Sequence, residues 1–197
     1  MLVFTSFGFR APIVKEKLRD VIDPKNKTIL IIPFAGYNPI SCALNEKNGL
    51  IDFGFKEDNI YICSDLSSFE RAYNYIYVPG GYTFKLLSTM QSMQLMESVK
   101  RAVENGATYI GVSAGAELAT VNLEYVRFLE DNNYSLVDYN GLSLVREIII
   151  PHADQHRLSE QMRSVFDTKQ STHILRIAND EVAVCEFADG LSKTRII

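Results

Sequence analysis

The chain has 197 residues, a hydrophobic share of 47%, a charged share of 22% and a formal net charge of −4, which is the profile of a globular chain long enough for one domain (1–197) with a substantial core. The acidic balance and the lack of any basic run longer than two residues exclude nucleic acid and anionic membrane as expected partners, no apolar run reaches membrane-spanning length, and Leu2-Val3-Phe4 is too short and lacks the basic leader of a signal peptide. Three cysteines (Cys42, Cys63, Cys185) without CxxC spacing fit a reducing, cytoplasmic setting and no disulfide framework.

In chain order, Leu2–Ser6 reads as a strand closed by Phe7-Gly8-Phe9, and Val14–Ile22 as a helix with Lys15, Lys17, Arg19 and Asp20 on its wet face. Asp23-Pro24-Lys25-Asn26 is a turn. The unbroken apolar run Thr28–Ala35 predicts a central parallel strand covered on both faces. A helix follows from Pro39 to Gly49, then a strand at Ile60–Cys63, a helical turn at Leu66–Ala72 and a strand at Tyr75–Val78 that runs into Pro79-Gly80-Gly81-Tyr82-Thr83. Thr83–Met90 and Leu95–Asn105 read as helices, and Thr108–Val112 as the next strand. After Ser113 the rhythm loosens, with a loop at Glu130–Asn133 and a turn at Asp138–Gly141. Glu147–His152 is a strand, Leu158–Asp167 a helix, and Ile174–Ile177, Glu181–Phe187 and Thr194–Ile197 are strands, with Ala188-Asp189-Gly190 closing a C-terminal β-hairpin. This alternation predicts an α/β fold with a mostly parallel, doubly wound sheet and a ligand site at the carboxyl ends of its strands.

Two glycine-rich turns fall at such ends. Gly111-Val-Ser113-Ala-Gly115 follows an apolar strand and precedes a helix-compatible segment, the order of a nucleophile elbow. A serine hydroxyl needs a base. Of the chain's three histidines (His152, His156, His173), His152 is best placed, since it ends an apolar strand after Pro151. His156 reads as a surface or substrate-side residue and His173 as structural. A metal site built on His152, Asp154 and His156 lacks any further His or Cys cluster, so no metal and no cofactor are expected. The carboxylate that would orient the base is open on these grounds among Asp180, Glu181, Glu130 and Asp131. Gly81 and Ala114 are the expected oxyanion donors, because a bare Gly-Gly turn admits close backbone approach and Ala114 follows the nucleophile.

Three segments carry a family resemblance. Val78-Pro-Gly-Gly-Tyr-Thr-Phe-Lys-Leu-Leu, Tyr109-Ile-Gly-Val-Ser-Ala-Gly-Ala and Ile150-Pro-His152 resemble, in order and separation, the corresponding segments of the aspartyl dipeptidase (peptidase E) and cyanophycinase family. The resemblance implies a three-layer, flavodoxin-like sandwich related to class I glutamine amidotransferases. It also implies Ser113 as nucleophile, His152 as base, Gly81 and Ala114 as oxyanion donors, and Asp180 as the third triad member with Asp131 as the alternative. Two departures stand out: Tyr82 replaces the family's Asn after the Gly-Gly pair, and the arginine expected just before Glu160-Gln161 is absent, Arg157 being the nearest. Tyr82 and Arg157 are therefore the expected substrate-side residues. The expected function is hydrolysis of short peptides, N-terminal aspartyl dipeptides among them, by a monomer or homodimer. The alternatives are a non-catalytic ligand-binding homologue and a hydrolase of a non-peptide amide or ester.

Overall fold

The computed structural model describes residues 1–155, 160, 162, 164, 173–188 and 191–197. Its strands are β1 (Leu2–Thr5), β2 (Ile29–Ile31), β3 (Ile60–Ile62), β4 (Tyr75–Val78), β5 (Thr108–Val112), β6 (Ile148–Ile150), β7 (Ile174–Arg176), β8 (Val182–Ala188) and β9 (Leu191–Ile196). The helices are α1 (Pro12–Arg19), α2 (Pro39–Phe53), α3 (Thr83–Ser92), α4 (Met96–Glu104) and α5 (Ala114–Leu118), with short 3₁₀ turns between them. Seven strands form one sheet in the order β3-β2-β4-β5-β1-β8-β9. β3, β2, β4, β5 and β1 run parallel, and β8 and β9 continue the sheet antiparallel as the expected C-terminal hairpin.

Side-chain alternation along these strands divides the interior into two cores. Leu2, Phe4, Leu30, Ile76, Val78, Tyr109, Ala183 and Cys185 point to one face, where they pack with Leu86, Leu87, Val99 and Leu118 from α3, α4 and α5. Val3, Ile29, Ile31, Tyr75, Tyr77, Ile110, Val112, Val182 and Val184 point to the other, against Val14, Leu18, Leu50 and Phe53 from α1 and α2. Helices thus cover both faces, which is the three-layer sandwich that the family resemblance implies. No helix among the described residues is long and apolar enough to cross a membrane.

Local differences from the sequence reading have tertiary causes. α2 runs through Gly49 to Phe53 and stops at Gly54, whose φ is 126°. Burial of Leu50 and Phe53 outweighs the roughly 1 kcal/mol that an interior glycine costs a helix. The apolar run Thr28–Ala35 pairs as a strand only over Ile29–Ile31, because Pro33 has no N–H for a ladder bond. β6 does not join the main sheet. It pairs in parallel with β7 as a separate two-stranded sheet, so the histidine strand reaches the site from outside the parallel array. The helix expected over Leu158–Asp167 and the turn residues Asp189-Gly190 lie largely outside the described residues.

Glu117 of α5 is 5% exposed and accepts a hydrogen bond of 2.6 Å from the Thr83 hydroxyl. Burial pushes its carboxyl up to about 8; the Thr83 bond opposes this and nearby Glu130 adds to it. The folded chain therefore holds this proton more tightly than the unfolded one, so its stabilising contribution is complete below about 4.5 and is lost as pH rises through about 8. Glu117→Gln should flatten the fall in melting temperature between about pH 5 and 8. Identical pH-stability curves for the two proteins would contradict this.

Candidate active site

β5 delivers Ser113 with φ 49° and ψ −112°, a conformation that a residue with a side chain holds only when its surroundings impose it. Those surroundings are backbone. A Cβ on Gly111 would lie 2.6 Å from the Gly115 carbonyl oxygen, and one on Gly115 would lie 2.0 Å from the Val78 carbonyl oxygen, so both positions require glycine. The buried Tyr109 hydroxyl donates to the Gly115 carbonyl at 2.6 Å. Ser113 N–H donates to Thr5 O at 2.9 Å, and its carbonyl accepts from Ala116 and Glu117 at 2.8 and 3.0 Å.

The end of β4 packs directly against this turn. A Cβ on Gly80 would come within 3.0 Å of Ser113 Cβ, and Gly81 has φ 149° with its Cβ position 2.2 Å from Ala35 O. The Gly-Gly backbone thus lies against the serine with no side chain between. Ala114 opens α5, so its N–H has no acceptor within the helix.

His152 Nε2 stands 3.0 Å from Ser113 Oγ. The residue has φ 53° and is held by Ser6, whose hydroxyl accepts from His152 N–H at 2.9 Å and donates to Ile177 O at 3.0 Å. Ser6 is itself 2% exposed and ties the small β6–β7 sheet to the end of β1. The Phe7 ring meets the imidazole edge-on, with ring centres 5.0 Å apart.

The partner of His152 Nδ1 corrects the sequence expectation. It is Asn179 Oδ1 at 2.7 Å, and Asn179 Nδ2 in turn donates to Asp154 Oδ2 at 2.7 Å. Asp180, the expected third member, is exposed and takes part through its main-chain carbonyl, which accepts from Lys17 Nζ at 2.6 Å. The turn between β7 and β8 presents residue 179, not 180, to the imidazole. The alternative, Asp131, is exposed in the loop packed on α3. Its neighbour Glu130 accepts from the Thr83 and Phe84 amides at 3.0 and 2.7 Å, capping that helix. Asn179 escapes a reading that looks for a carboxylate, although an amide fills the same place in Cys-His-Asn peptidases.

Ser113 and His152 line a cleft of about 490 Å³ together with Ser6, Phe7, Arg10, Tyr37, Cys42 and Glu46, and with Gly80 and Gly81. Tyr82 is 51% exposed just beyond that lining. Arg157 and His156 lie outside the described residues, but the structure brings another arginine to the cleft. Arg10 Nε sits 3.4 Å from Glu46 Oε1, and Glu46, 3% exposed, accepts from the Tyr77 hydroxyl at 2.5 Å. Burial, reinforced by Glu46, keeps that hydroxyl protonated well above its ordinary range. Burial and Glu46 also push the Cys42 thiol up, which disfavours the thiolate a cysteine nucleophile needs. Arg10 follows the carboxyl end of β1, so the strand-end rule already pointed to its neighbourhood.

The comparisons with known proteins bear on the fold and the family. A crystal structure from Listeria monocytogenes EGD-e superposes with a TM-score of 0.74 at 21% identity, covering 100% of this chain and 98% of that one. Peptidase E of Salmonella newport (strain SL254) is 34% identical over 170 residues, which is 83% of this chain and 71% of that protein. Peptidase E of Nostoc sp. (strain PCC 7120 / SAG 25.82 / UTEX 2576) is 26% identical over 143 residues, 70% of this chain and 57% of that protein. The chain spans little more than half the length of several curated relatives that it matches. The profile of Peptidase family S51 matches residues 3–189, and the chain belongs to that family.

Proposed function

We propose that the chain forms a single catalytic unit, a serine peptidase that hydrolyses short peptides through an acyl-enzyme without a metal or cofactor. The observation that carries this reading is the 3.0 Å approach of Ser113 Oγ and His152 Nε2 at a strained elbow beside the Gly80-Gly81 backbone. In this mechanism Ser113 Oγ attacks the peptide carbonyl while its proton passes to His152 Nε2. The amides of Gly81 and Ala114 receive the oxyanion, a donor set in which each member is typically worth ~10²–10³ in rate. Collapse of the tetrahedral adduct expels the amine, which takes the proton from His152. Water then enters by the same steps, releasing the acid and restoring Ser113.

Family membership and the Salmonella and Nostoc peptidase E relatives support a dipeptidase-like substrate range, and the modest cleft volume fits short substrates. Arg10 supplies the cation that the expected arginine position lacks, so we place a substrate carboxylate against it, as in an N-terminal aspartyl dipeptide. Three free cysteines support a reducing, cytoplasmic setting. One observation favours the alternative of a non-catalytic ligand-binding homologue: the base faces an uncharged amide instead of a carboxylate.

An active-site fluorophosphonate should label the wild-type protein at Ser113, and Ser113→Ala should abolish that labelling together with dipeptide hydrolysis. Labelling that persists in the variant removes Ser113 from the mechanism. Dipeptides that raise the melting temperature without being cleaved would favour the binding homologue. Arg10→Lys keeps a positive charge opposite Glu46 but loses the planar fork. It should raise KM for aspartyl dipeptides roughly 10- to 100-fold with kcat little changed, and leave uncharged dipeptides unaffected. Equal KM changes for both substrate types would detach Arg10 from carboxylate recognition.

A further inference from the structure

The hydrogen bonds that begin at Ser113 do not stop at the amide of Asn179. They end on Asp154, in the turn just after β6, where Gln155 N–H bonds to His152 O at 2.8 Å and Ala153 N–H bonds to Ile177 O at 3.0 Å. Arg176 adds a 2.6 Å bond from Nη2 to Ala153 O, so both ends of the Asp154–Asn179 contact are tied to the β6–β7 pair.

The chemistry of the groups dictates direction along this chain. An ionised carboxylate only accepts, so Asn179 must present Nδ2 to Asp154 and therefore Oδ1 to the imidazole. An oxygen facing Nδ1 requires the proton on Nδ1, and this leaves the Nε2 lone pair 3.0 Å from the Ser113 hydroxyl. Without an acceptor at position 154, nothing in this contact prevents Asn179 from turning its NH₂ toward Nδ1. That would favour the tautomer with the proton on Nε2, which cannot take one from serine. A neutral amide also gives the imidazolium only a dipole, whereas the carboxylate behind it lends a full charge at one remove.

We propose that Asp154 is a positioning residue: through Asn179 it locks the His152 tautomer that can accept the Ser113 proton, and it carries the negative charge of a triad displaced one residue outward. This rests on the reading of Ser113 and His152 as nucleophile and base, so the test carries one readout that needs no turnover. Imidazole ¹⁵N shifts in histidine-labelled protein report the tautomer, and the rate of fluorophosphonate labelling reports the serine. In the wild-type protein the proton should sit on Nδ1 of His152.

Asp154→Ala should move proton population to Nε2 and slow labelling at least ~10-fold, toward the ~10⁴-fold penalty of a wrong tautomer. Asp154→Asn keeps an acceptor oxygen without the charge, so the tautomer should stay while labelling slows. Asn179→Asp sets two carboxylates face to face and should be impaired. Combining it with Asp154→Asn exchanges the two groups, puts the charge directly on His152, and should recover labelling to within about tenfold of wild type, which a merely structural role for either residue would not produce. An Asp154→Ala protein with an unmoved tautomer, or with labelling within about twofold of wild type, overturns the proposal. If the wild-type protein is never labelled but Asp154→Ala still shifts the tautomer, the peptidase reading fails and the positioning of His152 stands.

Discussion

Everything at the site depends on a backbone too crowded for side chains. At the end of β5 the chain must turn sharply enough to begin α5 while Ser113 holds a φ of 49°. The turn closes only because Gly111 lies under the Gly115 carbonyl and Gly115 lies against the Val78 carbonyl, approaches that leave no room for a methyl group. Local strain of this kind costs about 1–3 kcal/mol and survives where packing over-determines it. Here β4, β5 and β1 are adjacent in the parallel array, so Val78, Val112 and Thr5 end on one rim and the Ser113 amide finds the Thr5 carbonyl. The elbow is thus a product of sheet register as much as of its own five residues.

The histidine reaches that rim by a different route. β6 and β7 form their own two-stranded sheet, and among the described residues no ladder hydrogen bond joins them to the seven-stranded one. Ser6 provides the clasp. Its buried hydroxyl links the His152 amide to the Ile177 carbonyl just beyond the end of β1, and it accounts for how His152 keeps a φ of 53° beside Ser113. The Tyr125 hydroxyl, buried and bonded to Ile149 O at 2.6 Å, steadies the same strand. The Ser6 hydroxyl thus helps to hold the distance on which proton transfer would depend.

Arg10 and Asn179 show where reading the residues in line reached its limit. The alternation of apolar strands and helices, the Gly-x-Ser-x-Gly turn, the Gly-Gly turn and the Pro-His strand end were all visible as local patterns. Those patterns carry the sheet, the two cores and the placement of Ser113, His152, Gly81 and Ala114 on one rim. On charge and on its place before a strand, Asp180 is the better partner. Which of two neighbours in a turn faces inward is decided by the turn's geometry and by Glu181, whose carboxylate accepts from the Ala178 amide at 2.7 Å. Arg10 carries no signal in the local pattern after β1; α2 brings Glu46 Oε1 to 3.4 Å from its Nε.

Period-two alternation with long apolar runs, and glycines where backbone must meet backbone, are local requirements. They determined the layered α/β fold, and they mark the glycine-rich turn at Ser113 and the strand end at His152, from the order of residues alone. The identity of the group behind the histidine, the arginine in the cleft and the detachment of β6 from the main sheet were decided only by tertiary structure. Each depends on residues such as Ser6 and Ile177, 171 positions apart in the chain, whose meeting no local pattern encodes.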